Sequence, residues 1–208
     1  MDFTKLCSER ARHITKNKLA IDLLEHVKCY LNQEKYEHTV GTLIEAAHYS
    51  EALFAQIPED IVFAACLHDV AKQWNREELI DYWKRDLIGN FIPNEHQLHA
   101  YVGAIYAVNT FVINEDVFRA ITYHTSCRAQ ASILEQIIYL ADWTDKNRKG
   151  RDIGHLRAVA KADFFKGFKL SLDMGIKECI DKGRIIYPDL YNARKYYFEM
   201  DTNPYPEK

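Results

Sequence analysis

Residues Ala64–Lys72 read "AACLHDVAK", an apolar run that closes on a histidine and an aspartate side by side, His68 and Asp69. The run starts at Ile61 ("IVFAACL") and lacks the alternation of a half-exposed strand, so it reads as a core helix. Pro58 suits the beginning of that helix, and Glu59 and Asp60 place negative charge where its N-terminus favours it. The helix is expected to run to about Lys72. Neighbouring helical residues point about 100° apart. His68 and Asp69 therefore converge on one point only near a helix end, or else serve two adjacent ions. A His-Asp pair is also an ordinary capping or surface feature, so its meaning depends on the rest of the chain.

Helical spacing continues on both sides. Leu19–Leu31 carries apolar residues three and four apart, and Tyr36–Ala55 continues in that style. Asn75 is expected to cap a helix over "NREELIDYWKRDL", with Glu78 completing a capping box. Gly89–Glu95 is a loop, His96–Thr110 a helix, and Asn114 caps another. Ser132 to about Asp145 is a further apolar-faced helix, and "NRKGRDIG" from Asn147 is a turn-rich link. Ala162–Lys182 and Leu190–Met200 complete the pattern, with a frayed tail at 201–208. No internal repeat, low-complexity segment or linker interrupts it. The expectation is an all-α fold in a single domain.

Composition bounds the function. With 48% apolar and 27% charged residues, the chain is of ordinary globular type. A net charge of −3 argues against general affinity for nucleic acid, so phosphate binding requires a local positive site such as a metal. The five cysteines form no CxxC pair and fit reduced thiols in the cytoplasm. The N-terminal "MDFTKLCSERARH" lacks the apolar core of a signal peptide. "IVFAACL" is far shorter than the roughly 20 residues that span a bilayer. No membrane partner is expected.

Further metal-friendly residues occur in settings like that of His68 and Asp69. His38 lies one turn into the helix of "KYEHTVGTLIEAA", His99 in "QLHAYVGAIYAV", His124 at the end of "AITYHT", and Asp142 in "IIYLADWTD". A buried, unpaired Asp142 would be costly and needs a metal, an arginine or a lysine as partner. Each histidine alone reads more readily as a satisfied core or boundary residue; the six residues together point to a site. His13, His26, His48, His96 and His155 have polar surroundings, although His96 stands one turn before His99. No Gly-rich phosphate loop and no GxSxG element competes. Cys127 follows His124 by three residues, with a neutral thiol as its default state.

The order His38, His68-Asp69, His99, His124, Asp142 resembles the HD-domain metal-dependent phosphohydrolases. "YEHTVGTLIEAA", "AACLHDVAK", "LHAYVGAIYA", "AITYHT" and "IIYLADWTDKNR" are similar to a bacterial group within them, the symmetrical bis(5'-nucleosyl)-tetraphosphatases, which hydrolyse diadenosine tetraphosphate. The similarity runs over roughly 30–197 of the 208 residues. It implies a helical bundle of HD type with a two-ion centre, often containing iron, and frequently a homodimer. His38, His68, Asp69 and Asp142 would hold one ion; Asp69 would bridge to a second, on His99 and His124. The chain departs from the group's pattern at Lys35 (usually Arg), Tyr101 (Pro), Cys127 (Gly), Asp145 (Glu) and Lys146 (Pro). Cys127 and Lys146 lie in loops expected on the substrate side.

The donor chemistry agrees. Imidazole and carboxylate without thiolate suit iron, manganese, cobalt or nickel. Two such ions polarise a phosphoryl group and lower the pKa of water, so that hydroxide attacks phosphorus in line. Lys72, Arg128 and Arg148 are candidate phosphate or adenine contacts, and Thr125 a candidate donor to a phosphate oxygen. Surface pairing is the alternative for each charged one. Asp145 is expected to orient another group or to donate a proton. Three functions remain open: symmetric cleavage of diadenosine tetraphosphate to two ADP, another HD-type activity on nucleotides such as a nucleotidase or an NAD-related pyrophosphatase, or a non-catalytic metal- or nucleotide-binding regulator.

Overall fold

The structure is a computed structural model in which residues 13–86, 93–150 and 152–199 are described. Helix α3 (Glu59–Leu67) is buried almost all round, through Ile61, Val62, Ala64, Ala65, Cys66 and Leu67. A helix with no wet face must be covered by others. Helix α2 (Gln33–Phe54) and α7 (Ile133–Thr144) pack on it and on each other, while α1 (Lys18–Lys28) and α6 (Glu115–Thr122) close its remaining sides. Helix α5 (Glu95–Thr110) lies on α6, and α4 (Arg76–Asp86) on α5. That outer pair has its own apolar cluster around Leu79, Trp83, Leu98 and Val102. On the far side of α7, helices α8 (Ile153–Ala162), α9 (Phe164–Asp181) and α10 (Pro188–Glu199) stack in succession. The described residues contain no strand, and none of their helices is long and apolar enough to cross a membrane.

The helix starts follow the capping residues. Asn17, Asn32, Asn94, Asn114 and Ser132 each accept a first-turn amide through the side chain. Asn75 and Glu78 form the expected reciprocal box: the Asn75 amide donates to Glu78 Oε2 at 3.0 Å and the Glu78 amide to Asn75 Oδ1 at 2.9 Å. The Gly89–Glu95 loop lies partly, and the 201–208 tail wholly, outside the described residues.

Two expected boundaries are corrected. Helix α3 ends at Leu67, not near Lys72, and 68–73 form successive turns. His68 causes the break locally: its Nδ1 lies 2.7 Å from the Ala65 carbonyl oxygen, the acceptor that residue 69 would use to continue the helix. The second correction is α8, which begins at the end of the expected 147–154 link and runs through residues before Ala162 that the sequence pattern assigns to no helix. Gly150, Gly154 and the run of charges hid it, and it starts after Asp152, held in the left-handed region at φ 72°. The expected Ala162 start gives way to Asp163, extended at φ −155°, whose Oδ1 accepts the Lys166 amide at 3.0 Å and opens α9.

Helices α8 and α9 touch backbone to backbone at Gly167. A Cβ there would fall 2.4 Å from Ala160 Cα. Gly167→Ala should therefore destabilise the protein by about 1–3 kcal/mol, read as a lower urea midpoint at unchanged m-value. An unchanged or raised midpoint would show that α8 gives way freely.

Candidate metal centre

The ends of α3 and α6 are built alike. His68 follows Leu67, and His124 follows the last turn of α6 with its Nδ1 2.8 Å from the Ile121 carbonyl oxygen. In each ring, donation from Nδ1 to a carbonyl fixes the tautomer and leaves the Nε2 lone pair free. Those two rings meet edge to face, with centroids 5.0 Å apart. His38 enters from the first turns of α2, His99 from those of α5, and Asp142 from the last turn of α7.

The six residues named from the sequence meet at one place. His38, His68 and Asp142 offer donor atoms within 4.8 Å of one another, as do Asp69, His99 and His124. Asp69 joins the two trios. Its Oδ1 lies 3.2 Å from His99 Nε2 and 3.1 Å from His124 Nε2, while Oδ2 lies 3.9 Å from Nε2 of both His38 and His68. One carboxylate thus turns an oxygen toward each group. Turning the chain at residue 68, instead of continuing the helix, lets adjacent residues point into the same space.

Electrostatics show what the site lacks. Burial drives His68 and His99 down to about 4, so both stay neutral donors. Burial opposes charge on His38 too, yet hydrogen bonds to Asp142 and Asp145 raise it to about 10. The His38 Nε2 is 2.9 Å from Asp142 Oδ1 and 3.4 Å from His68 Nε2. Charge on His38 there compensates neighbouring carboxylates that burial would otherwise make costly. Asp69 and Asp142 lie well below the usual carboxylate range: burial pushes each upward, but Lys72 for Asp69 and Arg148 for Asp142 lead the cations that overcome it. Anionic carboxylates beside the imidazoles of His68 and His99, which burial keeps neutral, converging at metal-ligand spacing, fit a transition-metal cation.

Asp145 lies behind this ring. Fully buried, it sets Oδ2 3.1 Å from His38 Nδ1 and accepts the Asn147 amide at 3.1 Å. It therefore orients His38, in the carboxylate–histidine–metal manner. Gly41 makes room for it: a Cβ there would fall 1.6 Å from Asp145 Oδ1. Asn147 ties the same turn to α2, donating from Nδ2 to the Glu37 carbonyl at 3.0 Å. The sequence reading missed Gly41 and Asn147, because a small residue facing a carboxylate and an amide spanning 110 positions leave no local pattern.

A cavity of about 1180 Å³ opens over the donors. Lys72 lines it, with Nζ 2.9 Å from His99 Nε2 and 3.5 Å from Asp69 Oδ1. Thr125 lines it as well, and its buried Oγ1 has no hydrogen-bond partner among the described residues. Arg148 lies over the Trp143 ring at 4.1 Å and donates from Nη1 to Asp142 Oδ2 at 3.0 Å. Lys146, Lys35 and His96 also border the cavity.

Arg128 is placed differently from the sequence expectation. It does not line the cavity; its Nε and Nη2 donate to Glu135 at 2.7 and 2.6 Å. Glu135 is held there because it also closes the Ser132 capping box, a constraint invisible from the His124 side. Cys127 is buried at φ 57°, the left-handed backbone that explains why the resembling group has glycine there. Burial pushes its thiol far up, so it is a protonated packing group. Tyr101 packs on Trp83 and Tyr123, with ring centroids 5.6 and 6.3 Å away.

Gly41→Ala would ordinarily stabilise a helix. Here it should push Asp145 from behind His38 and weaken metal binding about 10- to 100-fold, measured by competition with a chelator. Wild-type affinity in that variant would remove Asp145 from the site.

Comparison with known proteins follows the same lines. The family model described as "HD domain" matches residues 36–147, which contain all six converging residues and Asp145. A symmetrical bis(5'-nucleosyl)-tetraphosphatase of Halalkalibacterium halodurans is 33% identical over 169 residues, covering 80% of this chain and 90% of its own. One of Bacillus subtilis is 31% identical over 174 residues, covering 82% and 92%. A Clostridium acetobutylicum crystal structure, described as a predicted HD superfamily hydrolase involved in NAD metabolism, superposes with a TM-score of 0.77 at 29% identity, covering 86% and 96%. Its architecture and this match over more than half its length make the chain a member of the HD-domain family, built as a hydrolase with a divalent-metal site.

Proposed function

We propose that the protein hydrolyses diadenosine tetraphosphate symmetrically: one water and one dinucleotide give two ADP by cleavage of the central phosphoanhydride. The observation that carries this is Asp69, with one oxygen facing each donor trio. Support for the substrate comes from the two relatives of that name, both matched over about nine-tenths of their length.

In this reading His38, His68, Asp69 and Asp142 would hold one transition-metal ion, and Asp69, His99 and His124 would hold a second, with iron favoured. When bound, such ions supply Lewis acidity at the phosphoryl oxygens and make water acidic enough to act as nucleophile. The chain's own groups do the rest. Asp145 keeps His38 Nδ1–H engaged so that Nε2 faces the site. Thr125 Oγ1, without a hydrogen-bond partner among the described residues, donates to a phosphate oxygen. Lys72 and Arg148, already beside Asp69 and Asp142, offset charge on the polyphosphate as it enters. The net charge of the whole chain is −3, yet its Lys35, Arg76, Lys146, Lys149, Lys182 and Arg184 all border this cavity. Glu34, Glu37, Glu95 and Glu178 border it too, so these cations offer an elongated polyanion individual pairing sites within a wall of mixed charge, not a field of one sign. The four described cysteines are unpaired, which fits a cytoplasmic setting. The homodimer implied by the family resemblance belongs to the same reading.

A second reading, attack on an NAD-related nucleotide, draws on the description of the Clostridium acetobutylicum structure. Product analysis separates the two. Metal-loaded protein should convert diadenosine tetraphosphate to ADP alone; ATP plus AMP would overturn symmetric cleavage, and turnover confined to pyridine nucleotides would favour the second reading. Asp69→Ala should lose both metal and turnover, and a variant that kept either at wild-type level would end the shared-carboxylate assignment.

A further inference from the structure

Arg157 lies on α8, beyond the segment that defines the family, which ends at residue 147. Its guanidinium reaches back to the C-terminus of α7. The Nε donates to the Thr144 carbonyl at 3.0 Å, and Nη2 donates to the Arg148 carbonyl at 2.9 Å and to that of Asp145. The last carbonyls of a helix have no partners within it, and their dipole favours a cation. A planar guanidinium can serve several at once, which a single ammonium cannot match in geometry.

What makes this more than a helix stop is where those carbonyls stand. They bracket a turn of five residues, 144–148, with two outputs into the site. Asp145 leaves it to meet His38 Nδ1 at 3.1 Å, and Arg148 leaves it to meet Asp142 Oδ2 at 3.0 Å. His38 and Asp142 are the two members of the first donor trio that face each other at 2.9 Å. Arg157 touches neither, and it does not line the cavity. On its other side is α2: the Glu45 carboxyl is raised by burial and lowered again by the charge of Arg157.

We propose that Arg157 is a positioning residue for the metal centre. By pinning the 144–148 turn it aims His38 through Asp145, and Asp142 through Arg148, at one point. The proposal rests on the site being a metal centre and not on which nucleotide is cleaved.

The test is manganese affinity of the purified full-length chain, with Mn²⁺ alone as the probe and a chelator as competitor. Arg157→Ala should bind Mn²⁺ about 10- to 100-fold more weakly, and Arg157→Lys should fall between it and wild type. Low-millimolar guanidinium chloride should restore part of the loss in the Ala variant, since Arg157 is only part-buried. At saturating metal, kcat should drop while KM stays near wild type. Mn²⁺ affinity within twofold of wild type in the Ala variant would overturn the proposal, whatever its melting temperature. Should that variant not fold, wild-type affinity in Arg157→Lys would overturn it. A wild-type protein inactive on diadenosine tetraphosphate would defeat the substrate reading, while the Mn²⁺ titration would still judge Arg157.

Discussion

Everything in the site follows from burying the carboxylate of Asp69 in the middle of a helical core. It is 3% exposed. An isolated ion in such a place is prohibitively costly, so it must be compensated by the groups around it. Lys72 lies beside it, and the Nε2 atoms of four imidazoles, from His38, His68, His99 and His124, surround it from four helices and their ends. The helices are arranged to make this convergence possible. Helix α3 is apolar all round so that it can be sunk deep, and it ends where the charge has to appear.

Helix ends are the recurring device. Regular helix spreads neighbouring side chains around an axis, so a cluster drawn from helices must be assembled at their termini or from several of them. His68 and His124 each use the ring to take a carbonyl near the last turn, which stops the helix and aims the ring in one act. Asp142 and Asp145 straddle the end of α7 and divide the labour, one facing the donors and one supporting them from behind. His38 and His99 enter near the starts of α2 and α5. The same logic explains the narrow tolerance at Gly41, where the supporting carboxylate lies against the α2 backbone.

Much of this was legible in the sequence, for definable reasons. Helices α2, α5, α6 and α7 have apolar spacing and side-chain caps, and both are local signals. The six converging residues stood out because polar groups in apolar runs need partners. What escaped notice depended on distant geometry. Helix α8 was obscured by glycines and charge at its start, and its role comes from contacts with α7 and α9. Arg128 looked like a phosphate ligand from its place after His124, but the opposing Glu135 claims it. Lys72 was expected to close the helix that carries His68; with that helix ended sooner, it reaches His99 from a turn instead. Arg157 and Asn147 act on backbone carbonyls, which every residue has, so no side-chain pattern advertises them.

The stack of Arg148 on Trp143 has a practical consequence. The guanidinium is shared between an indole face and the Asp142 carboxylate. A cation that takes over the carboxylate weakens that tether, and the indole then senses a different charge above its ring. The protein thereby places an intrinsic fluorophore, Trp143, on the cavity wall, where a change in the guanidinium above its ring can be followed without any added dye.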